Sequence, residues 1–175
     1  MKRSAFILAT LFAVPAFAQN TAAPSNPAVS GLQMTWGMMT GYITRAAEQM
    51  PESDYSYKPV ATVRTFGEMI GHVAGAQNMI CAAALGDPQK SEDDIEKSAK
   101  TKAALVAALK ASNDYCAKAY QMSDAATAGM TKLFGQDRSK AFALSLNATH
   151  VGEHYGNIVT YMRMKGMVPP SSQGQ

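Results

Sequence analysis

His150 and His154 lie four residues apart in the run His150-Val151-Gly152-Glu153-His154, and the one other histidine, His72, stands far upstream. On a helix, residues i and i+4 point the same way, one turn apart. Two imidazoles would then share a stripe, and a third from a neighbouring helix would complete a three-nitrogen metal site. Three protein ligands leave one coordination position free, as catalytic metal sites do. The duller reading of any single histidine on a helix is a hydrogen-bonded core or surface residue. The i, i+4 pair, in a chain with so few histidines, shifts the balance toward a metal.

The same run fits His-x-x-Glu-His, the pattern of inverted zinc peptidases, in which the acid acts as general base. Such enzymes need a further ligand well downstream in a larger domain, and here only Tyr155 to Gln175 follows. A peptidase is therefore disfavoured. Glu153 still sits about 60° around the helix from His150, which makes it a candidate base bordering the site; its plain alternative is a solvated helix-face carboxylate. The twelve methionines show no Met-x-x-Met repetition and read as core filler rather than copper ligands. No Cys-x-x-Cys-His occurs, which excludes attached c-type haem. The Glu-x-x-His pairs of carboxylate-bridged di-iron bundles are also missing.

The elements that must position these residues are helical. Apolar positions spaced by three or four run from about Val29 to Met50 through Leu32, Trp36, Met39, Ile43 and Ala47. Thr65-Phe66-Gly67-Glu68 reads as a capping box that opens a second helix, carrying Phe66, Met69, His72, Val73, Ala76, Ile80 and Ala83 and ending near Gly86. Asp87 to Lys100 is a charged connection with room for one helical turn. Thr101 to Met122 predicts a third helix with Leu105, Ala108 and Leu109 inward, and Ser123 to Arg138 a Gly-containing loop. Ser139 to Lys165 predicts the fourth, through Phe142, Leu146, His150, His154, Ile158 and Tyr161. Gly166 and Pro169-Pro170 stop it. Four amphipathic helices without strand alternation predict an all-α four-helix bundle. Gly67, Gly71 and Gly75 recur every four residues, as do Gly152 and Gly156. Close approach of helix backbones is the plain explanation, and room for a ligand beside His72 and His154 the alternative.

Residues 1–18 read as a signal peptide: Lys2 and Arg3, then an apolar run from Ala5 to Val14, then Ala16-Phe17-Ala18 at the cut. That apolar run is too short to span a bilayer. The expected organisation is a leader over 1–18, a flexible tail over 19–28, one bundle over 29–170 and a short flexible tail over 171–175. The expected location is periplasmic or secreted, with no membrane attachment after cleavage. Formal charge is +3, and losing Lys2 and Arg3 brings it to about +1. The other basic residues are scattered among acids, so nucleic acid is not an expected partner.

Cys81 and Cys116 are the only cysteines, and export would place them in an oxidising compartment. If the second and third helices run parallel, the thiols sit at one level, and the connection from Asp87 to Lys100 is long enough to cross back. If the helices are antiparallel, the thiols miss by several turns and stay separate. The residues alone leave both arrangements open.

The segment Tyr55-Ser56-Tyr57-Lys58-Pro59, then Val63-Arg64-Thr65-Phe66-Gly67-Glu68-Met69-Ile70-Gly71-His72-Val73-Ala74, resembles the second-helix entry of the DinB-like family. The run His150 to Ile158, with Tyr161-Met162-Arg163-Met164-Lys165-Gly166 and Pro169-Pro170, resembles its closing signature. The likeness covers about Val29 to Pro170. It implies an up-down-down-up bundle with parallel second and third helices and a long crossover between them. It also implies a divalent metal held by His72, His150 and His154, with Zn the default and Ni, Fe or Cu as alternatives. Superfamily members include thiol-dependent transferases and a maleylpyruvate isomerase, so the implied function is a metal-dependent hydrolase or thiol transferase acting on an unidentified small molecule. A non-catalytic metal- or ligand-binding bundle is the alternative. A homodimer fits the family analogy. This chain departs from cytosolic members in its leader, where low-molecular-weight thiols are less dependable, and in Asn157, where relatives often carry Gln.

Overall fold

The computed structural model describes residues 25–174; the expected leader and most of the expected N-terminal tail lie outside them. Four long helices are built where periodicity and caps direct: α1 Pro27–Gln49, α2 Phe66–Leu85, α4 Lys102–Ala119 and α6 Lys140–Met164. Short helices α3 (Asp94–Ser98) and α5 (Asp124–Thr127) lie in the connections. Among the described residues no helix is long and apolar enough to cross a membrane.

Caps fix the ends of the helices. Thr65 Oγ1 accepts the Glu68 amide at 3.2 Å, and Glu68 Oε2 accepts the Thr65 amide at 2.7 Å, closing the expected capping box. Gly86, at φ +82°, ends α2 in the left-handed conformation that glycine adopts freely. Ser139 caps α6 by accepting the Phe142 amide at 3.1 Å. The start of α1 is held from far along the chain: the Asp124 carboxylate accepts the amides of Ala28 and Val29 at 3.1 and 2.9 Å. Two of the free amides that every helix start presents are satisfied this way.

The contacts fix the directions of the helices. Cys81 and Cys116, near the C-terminal ends of α2 and α4, form a disulfide with Cα atoms 5.3 Å apart, so these helices run parallel. Met39 lies beside Gly152 and Tyr42 stacks on Tyr155 at 5.0 Å, so α1 and α6 also run parallel. Tyr161 of α6 bonds to the Arg64 carbonyl just ahead of α2, which makes α2 and α6 antiparallel. The architecture is the up-down-down-up bundle, with residues 87–100 as its long crossover. Buried Gln77 knits three helices: it accepts from Trp36 Nε1 at 2.7 Å and donates to Ser112 and Asn113 at 3.1 and 2.9 Å.

The structure differs from the expectations in several places. The stretch expected as a loop after Ser123 contains α5 and a hairpin, β1 (Met130–Leu133) paired antiparallel with β2 (Gln136–Ser139). Its two turn residues, Phe134 and Gly135, sit at φ +52° and +73°, the signs a tight two-residue hairpin needs. Only Leu133 of the hairpin is buried, so no alternation announced it. Phe142, expected inward, is exposed; the buried stripe of α6 runs instead through Leu144, Asn147, Val151, His154, Tyr155, Ile158 and Met162. At Gly71 the expected close approach is to a helix, the short α3 within the crossover, with Leu105 of α4 alongside; at Gly75 it is to the crossover backbone just ahead of α3. A Cβ at Gly71 would lie 2.9 Å from Glu96 Cα, and one at Gly75 would overlap the Glu92 carbonyl oxygen. Residues beyond Pro169, expected mainly as a tail, form a 3-10 turn over Pro170–Ser172. The Ser171 amide donates to the Tyr155 hydroxyl at 2.9 Å and Gln173 bonds to Gln49 at the end of α1.

Candidate metal centre

Antiparallel packing of α2 on α6 brings the three histidines level. His72 Nε2 lies 3.2 Å from His150 Nε2, which lies 3.0 Å from His154 Nε2. The ligand atoms of all three fall within 4.8 Å of one another, and no carboxylate or thiol belongs to the group. Ring planes cross at 60°, 79° and 89°, so the imidazoles meet edge to face with nitrogens converging rather than stacking.

Burial keeps these rings neutral. His72 and His154 are buried and His150 is half-buried. Desolvation, followed by the charges of Arg64 and His150, pushes His72 down to about 4. Desolvation, then His150, His72 and Arg64, pushes His154 down to about 3. His150 is also lowered, chiefly by desolvation, with Glu153 and Glu92 opposing. Neutral imidazole is the form that ligates metal.

The residues fit a divalent ion. Zn–N distances of about 2.0–2.1 Å at tetrahedral angles put ligand nitrogens about 3.3 Å apart, close to the 3.2 and 3.0 Å found. Two such nitrogens can share one proton as N–H and lone pair, but of three converging on neutral rings at least two present the same group, and a cation at their focus removes that conflict. Among the described residues the buried Nδ1 atoms of His72 and His150 have no hydrogen-bond partner. Asn157 does serve His154, with its amide nitrogen 3.4 Å from Nδ1. When Nε2 faces a cation, Nδ1 carries the proton, and the carboxamide, turned end for end, would present its oxygen to it.

Glu153, the candidate base, lies on an exposed position of α6; its charge reaches His150, but its carboxylate is not part of the nitrogen cluster. Sequence reasoning passed over Arg64 and Glu96. Arg64 Nε donates to both Glu96 carboxylate oxygens, at 3.2 and 3.1 Å, and its carbonyl accepts from the Tyr161 hydroxyl at 2.6 Å. A groove of about 550 Å³ runs from His154 and Asn157 past Met69 to Arg64, Glu68 and Glu96. The available signal was position: Arg64 directly precedes the cap of the helix that carries His72.

The sequence pattern of the DinB superfamily matches residues 36–158. Among solved structures, a DinB-like protein from Bacillus cereus is similar at TM-score 0.69 and 15% identity, over 81% of this chain and 95% of that one. A DinB-like protein from Bacillus subtilis is similar at TM-score 0.56 and 18% identity, over 83% of this chain and 99% of that one. A mycothiol-dependent maleylpyruvate isomerase is similar at TM-score 0.59 and 15% identity, over 76% of this chain and 65% of the isomerase. At these identities the likeness is one of fold. No curated protein matches the chain significantly.

Proposed function

This chain belongs to the DinB superfamily, and on that premise we propose that His72, His150 and His154 hold a divalent metal ion at which a small molecule reacts. The observation that carries this reading is the convergence of three neutral Nε2 atoms with no protein charge among them. Zn²⁺ is the first choice for such a nitrogen set, and Ni²⁺, Fe²⁺ and Cu²⁺ also suit imidazoles. When bound, the ion supplies Lewis-acid chemistry and lowers the pKa of an O–H or S–H group that takes its free position.

The chain's own residues do the rest. α2 and α6 set the nitrogens, and Asn157, with its carboxamide turned to present oxygen, would fix the His154 ring and its proton at Nδ1. The groove toward Arg64 admits a small molecule to the exposed side of the cluster. Glu153, on the next position of the helix face, is the group available to take a proton from an incoming nucleophile. The reaction class we favour is activation of a thiol or of water against a small electrophile. A mycothiol-dependent neighbour in fold makes a thiol the first nucleophile to test. Export is part of the proposal, supported by the Cys81–Cys116 disulfide. The exposed Glu153 favours a second reading, a non-catalytic bundle whose histidines bind an ion without turning over a substrate.

Metal analysis of the protein isolated from the cell envelope tests the premise. One ion per chain, lost in the His72→Ala variant, is the expected result; metal-free native protein whose affinity for added ions is unaffected by His72→Ala would reject it. Metal-dependent consumption of a supplied thiol with an electrophile then separates enzyme from binding protein. Inactivity across a broad panel of thiols and activated esters favours the second reading.

A further inference from the structure

Among the residues lining the groove beside the histidines, Arg64 is the one cation. Of the cations lining it and the adjoining cavity, Lys97 is paired with Asp93 at 2.9 Å and Lys100 donates to the Glu96 carbonyl at 2.8 Å. Arg64 uses only Nε, on Glu96; among the described residues neither Nη nitrogen has a protein partner. The two anchors of this residue act at different points. Tyr161 holds its backbone carbonyl, and Glu96 holds the guanidinium through one edge. The side chain remains 38% exposed, at the wall shared by two cavities of about 550 and 330 Å³. A planar guanidinium fixed at Nε and open at Nη is organised to receive an oxyanion in a two-pronged contact.

Charge points the same way. The two carboxylates in the groove are already engaged, Glu68 in its helix cap and Glu96 on Arg64. Arg64 and Glu96 offset each other and Glu68 keeps its charge, so a divalent ion on three neutral imidazoles would turn the groove's own charges net positive and make it attractive to anions. We infer that Arg64 is the anion-recognition residue of this site, and that the substrate class is a small molecule bearing a carboxylate remote from the atom that meets the metal. This rests on the metal reading above.

The test uses the zinc-loaded protein and a series of alkyl hydroxamates ending in a carboxylate, with one to four methylenes between the two groups. Each is matched with its terminal carboxamide. Metal content and binding of plain acetohydroxamate report on the metal site by itself, so failure there sinks the premise and not merely this step. The expected result is that one chain length binds about tenfold or more tighter as carboxylate than as carboxamide. In Arg64→Gln that ratio falls to about one. Arg64→Lys, which keeps the charge but not the fork, gives an intermediate ratio and serves if the glutamine variant fails to fold. A wild-type ratio near unity at every length, or a preference that survives in both variants, overturns the assignment.

Discussion

The carbonyl oxygen of Glu92 occupies the space that a β-carbon at Gly75 would need. The crossover is therefore in backbone contact with α2 one turn from His72. Gly75→Ala gains up to about 1 kcal/mol of helix propensity but must displace backbone, and overpacking of that kind costs about 1–3 kcal/mol or more. We expect a net loss of stability in urea melts, together with weaker metal binding. Gly156, also within a helix, has no neighbour near a built Cβ. Gly156→Ala should raise stability by roughly 0.5–1 kcal/mol, so a loss there would contradict the geometry.

Ligand removal should be read by calorimetry. His72→Ala, His150→Ala and His154→Ala each delete one of three nitrogens and should abolish stoichiometric binding at micromolar zinc. Asn157→Ala leaves the nitrogens but frees the His154 ring, and a loss of about 10–100-fold in affinity is expected. In the wild type, free zinc at a hundred times its Kd should add about 2.7 kcal/mol to unfolding, removed by a chelator. An unchanged thermal midpoint on zinc addition would exclude binding to the folded state.

Acid should destabilise the metal-free protein in a definite window. His72 and His154 titrate near the ordinary 6.5 when unfolded but only near 4 and 3 when folded. Between these limits the unfolded chain holds more protons, so stability is full above about pH 6.5 and falls as pH drops. The slope is up to about 1.4 kcal/mol per pH unit for each histidine. Urea midpoints measured in chelator at several pH values check this. His154→Gln should flatten the profile, and an unaltered slope in that variant would place its cause elsewhere.

The disulfide should matter thermodynamically. Cys81 and Cys116 are 35 residues apart, and closing a loop of that size restrains the unfolded chain by about 3–4 kcal/mol. Cys81→Ser with Cys116→Ser should lose about that much, and reductant should leave the double variant unaffected.

The fold was largely legible because its signals are local. Thr65 with Glu68, Gly86, Ser139 and Gly166 mark helix ends by hydrogen bonds within one turn, and the periodic apolar residues between them mark the faces. The spacing of His150 and His154 was legible for the same reason. What escaped the sequence depends on contacts between distant segments. Asp124 caps α1 across the bundle, and nothing near residue 28 announces it. The hairpin around Phe134 buries only Leu133, too little to print a pattern. Gly71 and Gly75 showed that something packs closely there, but only the crossover's path shows what. Arg64 drew no notice because its partner Glu96 is remote in sequence.

The bond between Cys81 and Cys116 encloses the whole crossover, while His72 lies before it and His150 and His154 after it. A protease that cuts the exposed stretch around Gln89 and Ser91 would divide the histidines between two polypeptides. The bridge would keep those pieces at the effective concentration of a single molecule, so the nitrogen cluster would survive a nick that severs the chain. Only a cut followed by reduction would disperse it.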